Sequence, residues 1–174
     1  AWIGCSKVNA ECANCYAETW DKLYQGGVHW GPGADRRIMP DKYWNDPIRW
    51  NRVAAKTGSF RKVFCSSLAD VFDKEAPEGQ RERLWPLIKA TPNLIWLLLT
   101  KRPENILGML PDDWGDGYSN VWMGTTTGTQ SSFDRNVAFI KNVPAKYRFL
   151  SVEPQLEEID ISSAFPNPCF HWII

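Results

Sequence analysis

Three cysteines close to one another offer metal-binding chemistry near the start of the chain. They are Cys5, Cys12 and Cys15, in the segment GCSKVNAECANCYAE. Two cysteines separated by two residues can place their thiolates on one metal centre, and the third can reach it from a flexible loop. Three protein ligands leave one coordination position open, as in a reactive centre, whereas a structural zinc site normally has its fourth position filled. On a [4Fe–4S] cluster, the open iron can bind a small chelating molecule.

A structural zinc site is the alternative interpretation of the same cysteines, with His29 or another residue as the fourth ligand. His29 lies in the segment GGVHWGPG, and a single histidine in such a loop is more often a turn or surface residue. The residues alone leave both centres open. The other two cysteines, Cys65 and Cys169, lie within predicted strands, so we expect small buried side chains there rather than ligands.

Hydrophobic periodicity predicts the elements that must position these cysteines. Continuous apolar runs predict five strands, at residues 62–65, 94–100, 120–124, 148–152 and 169–174. Their spacing is that of strand–helix–strand units with parallel strands, and their apolar character is typical of strands buried on both faces. Helices are predicted between them, beginning near Tyr16, Asp46, Glu82, Pro103 and Ser132, with Asp46 and Ser132 as N-caps.

This alternation predicts one α/β domain, residues 1–174, built as an open parallel sheet or a partial (β/α) barrel. The cysteine segment begins almost at residue 1, and the chain stops inside an apolar run. We therefore expect a fragment at both ends.

Composition and charge limit the partners and the compartment that can be expected for the chain. The formal net charge is zero, so no global field would direct the chain onto nucleic acid or an anionic membrane. The longest apolar run, residues 94–99, is far too short for a membrane span. Three of five cysteines crowd into eleven residues, which favours a cytoplasmic metal site over a secreted disulfide scaffold.

Polar residues that follow the predicted strands are further candidates, because in parallel β/α barrels such residues face the active site. Ser66, Ser67 and Asp70 follow the first run and are candidates by this rule. A turn in which serine and aspartate satisfy backbone groups explains them equally well. Lys101 and Arg102 follow the second run, where they could bind a carboxylate or a phosphate. Solvated charges at a helix start are the alternative.

Threonines and a glutamate follow the next two runs. Thr125, Thr126 and Thr127 could bond a ribose or a substrate, although the strand propensity of threonine also explains them. Glu153 would be costly at a barrel mouth unless it binds a ligand or pairs, for example with Arg102. Residues 36–62 hold eight Lys or Arg and two Asp. A solvated helix face explains that stretch more simply than a patch for a polyanionic substrate.

The cysteine motif and several later segments resemble known proteins. The pattern C…CxxCY before the first helix, followed by β/α units, is similar to the radical S-adenosylmethionine superfamily. More narrowly, the chain resembles an uncharacterised family from phages and bacteria through the segments GCSKVNAECANCYAE, VFCSSLADVFD, LLLTKRPEN, NVWMGTTTG and RFLSVEPQLEEIDI. These segments span nearly the whole chain in the same order, which is more specific than the cysteines alone.

The resemblance implies a partial (β/α) barrel of the radical S-adenosylmethionine type, with Cys5, Cys12 and Cys15 as the ligands of a [4Fe–4S] cluster. The open iron would bind S-adenosylmethionine, and a reductant such as flavodoxin or ferredoxin would supply one electron. The first two cysteines are separated by six residues, where the superfamily usually has three. The superfamily commonly has an aromatic residue near the adenine just before the third cysteine; here that residue is Asn14, and the aromatic residue, Tyr16, follows Cys15 instead. The superfamily also often has a short polar motif that holds the methionine amino group, for which Ser66, Ser67 and Asp70 could substitute.

The resemblance leaves the substrate open. The ending CxxCY is also similar to spore photoproduct lyases, which repair DNA, so a nucleic acid or a nucleotide is one expected substrate class. The alternative function is a non-catalytic, zinc-bound module associated with nucleic acid.

Overall fold

The structure, a computed structural model, describes residues 1–164 and 169–174. In this part of the chain, two short strands, β1 (Trp2–Ile3) and β2 (Arg37–Ile38), pair antiparallel. Five strands form a parallel sheet whose order follows the chain. They are β3 (Arg61–Cys65), β4 (Leu94–Thr100), β5 (Val121–Thr126), β6 (Tyr147–Ser151) and β7 (Trp172–Ile173).

Four α-helices accompany these strands within the described residues. They are α1 (Tyr16–Tyr24), α2 (Asn45–Lys56), α3 (Gln80–Lys89) and α4 (Gln130–Ile140). The prediction of an α/β fold with a parallel sheet flanked by helices is therefore confirmed. None of the described helices combines the length and the apolar character needed to cross a bilayer.

One face of the sheet packs against helices and forms the hydrophobic core. Alternate residues of a strand point to opposite faces, and on β4 it is Leu94, Trp96 and Leu98 that join this core. They pack with residues of α3 and α4, among them Leu84, Ile88, Phe133 and Ile140. This face therefore fixes the positions of the strand ends.

The opposite face of the sheet is concave. Lys62 on β3 places its Nζ 4.5 Å from the ring centre of Trp172 on β7 and 4.9 Å from that of Trp122 on β5. β3 and β7 are the two outermost strands, and four strand spacings in a flat sheet would separate them by about 19 Å. The sheet must curve to bring these side chains together, so its strand ends surround a common space.

The predicted strands agree best with the observed ones in the middle of the sheet. The run 94–100 coincides with β4, whereas β5 continues to Thr126, two residues beyond the predicted end, so Thr125 and Thr126 belong to the strand. The run 169–174 contains only the two-residue β7. Burial on both faces is wrong for β3, where Phe64 is 46% exposed, because an edge strand covered by helices on one side keeps its other face open.

Three helix predictions are corrected in detail. Residues 103–110 form two short 3₁₀ helices, Pro103–Asn105 and Leu107–Met109, and Asn105 uses its side chain to donate to the carbonyl of Phe72. The N-cap of α4 is Thr129, and Ser132 completes a reciprocal capping box three residues later. Asp46 lies in the first turn of α2, after a 3₁₀ turn at Asp41–Trp44, rather than at its N-cap.

Helix α1 begins at Tyr16, where the pattern predicts. Its largest apolar side chains, however, do not enter the core. Tyr16, Leu23 and Tyr24 are each about two-thirds exposed, whereas Ala17 and Asp21 are buried. The face of α1 that carries Ala17 and Asp21 is therefore the one that packs against the rest of the protein.

Candidate metal centre and its cavity

A cavity of about 660 Å³ lies where the parallel strands end. Eleven of the thirteen predicted site residues line it: Cys5, Cys12, Cys15, Tyr16, Ser66, Ser67, Asp70, Lys101, Arg102, Thr126 and Glu153. Thr125 does not, because alternate residues of β5 point to opposite faces; its hydroxyl donates to the carbonyl of Thr100 at 3.0 Å instead. Thr127 does not line it either, and its amide donates to the carbonyl of Ser151 at 2.9 Å. The residues at the strand ends thus lie at one cavity together with the cysteine loop, and the lining comes from five separate segments.

Gly4 places Cys5 beside the end of β3. The amide of Gly4 donates to the carbonyl of Leu68 at 3.0 Å, and Gly4 forms a parallel bridge with Ala69. Its φ is +118°, and a Cβ there would lie 2.3 Å from the carbonyl oxygen of His29. Only glycine fits this close approach.

Glu11 fastens the middle of the cysteine loop to the turn after β5. It lies in a 3₁₀ turn, Ala10–Cys12, and is 4% exposed. Its Oε1 accepts from the amide of Gly128 at 2.8 Å. Although burial opposes its charge, hydrogen bonds from Ser132 and from backbone amides lower the pKa of Glu11. Sequence analysis missed this residue, since an acidic residue between two cysteines has no distinctive pattern.

Cys15 is the N-cap residue of α1, as the sequence predicts. All three cysteines of the loop are free thiols. The Sγ of Cys12 lies 3.3 Å from Oδ1 of Asn9, and the Sγ of Cys5 lies 3.3 Å from Nη1 of Arg102. Burial raises the pKa of the Cys5 thiol to about 11, and the Arg102 guanidinium opposes that rise.

The chemistry of these donors fits an iron–sulfur or a zinc centre, because three free thiols line one cavity. Across residues 1–164 and 169–174, however, no three His, Cys, Asp or Glu side chains are already arranged to hold a metal ion. His29 is engaged elsewhere, with its Nδ1 2.8 Å from Oδ1 of Asp21.

Arg102 and Asp70 form a buried ion pair beside Cys5. Nη1 of Arg102 lies 3.0 Å from Oδ2 of Asp70, and Nη2 donates to the carbonyl of Ser6 at 2.6 Å. Although burial opposes a charge there, Asp70 and Cys5 raise the pKa of Arg102. Glu153, the partner that the sequence suggests for Arg102, forms no ion pair with any described residue.

Arg36 is a second buried arginine at the cysteine loop, and it departs from the expected solvated face of residues 36–62. Its Nη2 contacts Oδ2 of Asp73 at 3.1 Å and Oε2 of Glu75 at 2.6 Å. The same nitrogen donates to Oγ of Ser6 at 2.8 Å. Its acidic partners, Asp73 and Glu75, lie more than 35 residues away in the chain. The charges of residues 36–62 alone therefore gave no sign of these ion pairs.

The serines after β3 form a tight turn at the cavity edge. Ser66 has a φ of +59°, an unusual left-handed conformation for a residue with a side chain. Its carbonyl accepts from the amide of Ala69 at 2.9 Å. The Tyr16 hydroxyl donates to the carbonyl of Ser67 at 2.5 Å, which ties the start of α1 to this turn.

Two polar atoms at the cavity are buried without a partner in the described structure. They are Oγ1 of Thr126 and Oε2 of Glu11. Buried polar atoms are normally hydrogen-bonded, so both are free to contact a ligand or water. Lys101 also lines the cavity and makes no ion pair with a described residue.

Comparisons with known proteins bear on the whole chain. The model of a family described as "Protein of unknown function (DUF5131)" matches residues 1–174. Neither the curated proteins nor the solved structures give a match. The chain therefore belongs to the DUF5131 family.

Proposed function

We propose that this chain is a radical S-adenosylmethionine enzyme in which Cys5, Cys12 and Cys15 hold a [4Fe–4S] cluster. The observation that carries the proposal is that three free thiols line one cavity at the ends of parallel strands. When bound, a cluster with one open iron would supply the electron that cleaves S-adenosylmethionine into methionine and a 5′-deoxyadenosyl radical, and the radical would abstract a hydrogen atom from a substrate. The curvature of the sheet supports a partial barrel of the type this chemistry uses.

The cavity offers groups that suit S-adenosylmethionine. Its volume, about 660 Å³, lies within the usual range for small-molecule sites. Lys101 is a cation without an ion-pair partner among the described residues and could bind the methionine carboxylate. Glu153 could attract the amino group or the sulfonium. The exposed ring of Tyr16 could pack on the adenine, and the unpartnered Thr126 hydroxyl could bond the ribose.

Substrate and partners follow from the same proposal. A one-electron reductant such as flavodoxin or ferredoxin would reduce the centre, and the cytoplasm is the compartment that suits this chemistry. A nucleic acid or a nucleotide is the substrate class proposed from the similarity of the motif to DNA-repair enzymes.

Metal analysis of anaerobically reconstituted protein tests the proposal. We expect the wild type to bind about four irons per chain with matching sulfide, and Cys12→Ala to lose most of them. The matched control is Cys169→Ala, which removes a free thiol that does not line the cavity and should bind iron like the wild type. One colourless zinc per chain, or equal iron in both variants, would refute the cluster.

Product analysis tests the chemistry separately. The iron-loaded wild type, reduced with dithionite in the presence of S-adenosylmethionine, should form 5′-deoxyadenosine, and Cys12→Ala should not. Iron-loaded wild type that leaves S-adenosylmethionine intact would contradict the proposed radical reaction.

A further inference from the structure

Arg102 is the one arginine in the described structure whose guanidinium contacts a cysteine sulfur. Its Nη1 lies 3.3 Å from Sγ of Cys5, and the residue is 5% exposed. Its Nη2 donates to the carbonyl of Ser6 at 2.6 Å. The charge of Arg102 therefore lies beside a candidate metal ligand and is shielded from water.

Asp70 and the end of β4 hold this guanidinium in place. The carboxylate of Asp70 accepts from the amide of Phe72 at 2.9 Å and from the Thr100 hydroxyl at 2.8 Å and 2.9 Å. It also accepts from the amide of Lys101 at 3.3 Å and from Arg102 at 3.0 Å. With its oxygens engaged in this way, Asp70 is better suited to orient Arg102 than to bind a ligand.

We infer that Arg102, oriented by Asp70, is a positioning residue that raises the reduction potential of the centre bound by Cys5. The inference rests on the proposed function and adds a role that the cluster assignment does not contain. Arg102 stabilises the extra negative charge that one-electron reduction places on the centre. Hydrogen bonds to ligand sulfurs and local charge are two factors that set such potentials.

The two members of the pair should shift the potential in opposite directions. Arg102→Gln removes a positive charge and the charged donor to Cys5, so reduction becomes harder and the potential becomes more negative. Asp70→Asn removes a negative charge next to Arg102 but keeps a side chain of the same shape whose oxygen can still accept from the guanidinium, so the potential becomes more positive. Arg102→Lys keeps the charge without the planar fork of donors and should give a smaller negative shift. General damage to the fold would not produce shifts of opposite sign.

Arg36→Gln is the matched control. Arg36 is also buried and also binds Ser6, but none of its hydrogen bonds in the described structure goes to a cysteine sulfur. The same substitution there loosens the cysteine loop and removes the same charge without touching Cys5. We expect a smaller shift than for Arg102→Gln.

The experiment is a redox titration of iron-loaded full-length protein with dithionite, followed by electron paramagnetic resonance of the reduced centre. Iron content and circular dichroism are measured on each sample. A negative shift for Arg102→Gln that exceeds that of Arg36→Gln, with a positive shift for Asp70→Asn, supports the inference. If Arg102→Gln does not fold, the test uses the signs of the potential shifts in the other two variants. A negative shift for Arg102→Lys with a positive shift for Asp70→Asn supports the inference, and any other pair of signs overturns it.

Failure of this inference is distinguishable from failure of the proposed function. Iron-loaded variants with unchanged potentials, or with equal shifts at Arg102 and Arg36, overturn the inference alone. Wild-type protein that takes up no iron overturns the proposed function and the inference with it.

Discussion

Gly128→Ala perturbs the junction that holds the cysteine loop against the sheet. Three segments meet at Gly128. Its amide donates to Glu11 in the cysteine loop, and its carbonyl accepts from the amide of Leu156 at 2.8 Å. A Cβ at this position would lie 2.2 Å from the carbonyl oxygen of Pro154 and 2.6 Å from Cγ of Glu11. Since the nearer obstacle is backbone, one of the segments must move.

The cost follows from two effects. Overpacking costs about 1–3 kcal/mol, and weakening the charged hydrogen bond between Gly128 and Glu11 costs about 1.5–3 kcal/mol. Movement of a segment relieves part of the overpacking at the expense of the hydrogen bond, so we expect a loss of about 2–4 kcal/mol in the free energy of unfolding. For a chain of this size, that loss lowers the melting temperature by roughly 5–15 °C.

Thermal unfolding followed by circular dichroism measures the effect. The control is Gly108→Ala, because a Cβ at Gly108 would have no heavy atom within 4 Å and its φ is not in the left-handed region. That variant should melt within a few degrees of the wild type. Equal melting temperatures for the two variants would show that the cysteine loop does not depend on close packing at Gly128.

Two further substitutions test the cavity and the sheet beneath it. Gly124→Ala should lower the free energy of unfolding in urea by about 1–3 kcal/mol, because its Cβ would lie 2.3 Å from Cζ of Phe149. Adding Phe149→Leu should restore part of that loss. If the effects of the two substitutions are simply additive, this packing is contradicted. Thr126→Val removes a buried hydroxyl that has no partner, so stability should stay equal or rise by up to about 1 kcal/mol. Calorimetry should then show roughly 2- to 10-fold weaker binding of S-adenosylmethionine to the Val variant, and unchanged affinity would remove Thr126 from the proposed site.

The middle of the sheet could be predicted because its signal is local. β4 is apolar from Leu94 to Leu99, and any parallel sheet that contains it must bury both of its faces. The exposure of β3 could not be predicted in the same way, since an edge position depends on which strands pair. The exposed aromatic side chains of α1 have the same cause, because periodicity locates a helical face without showing what covers it.

The part of the cavity lining outside the cysteine loop could be predicted from one rule, that residues after parallel strands converge. Glu11, which lines the cavity, and Arg36, which anchors the cysteine loop outside the lining, escaped that rule because neither follows a strand of the parallel sheet. Glu11 binds Gly128, 117 residues away in the chain, and Arg36 binds Asp73, 37 residues away. Their roles depend on tertiary contacts that no short window of sequence contains.

The cysteine loop is anchored by buried charges, which is the arrangement that the proposed ligand-bearing loop would use. Buried ion pairs stabilise a fold less than apolar packing of similar volume, yet Arg36 and Arg102 are both less than one-tenth exposed and both bind Ser6. A loop that only needed an anchor could use apolar side chains. Both guanidiniums already have carboxylate partners, Arg36 in Asp73 and Glu75 and Arg102 in Asp70. Only Arg102 also contacts a cysteine sulfur, at 3.3 Å from Sγ of Cys5, so it is the buried cation that would lie beside the proposed centre.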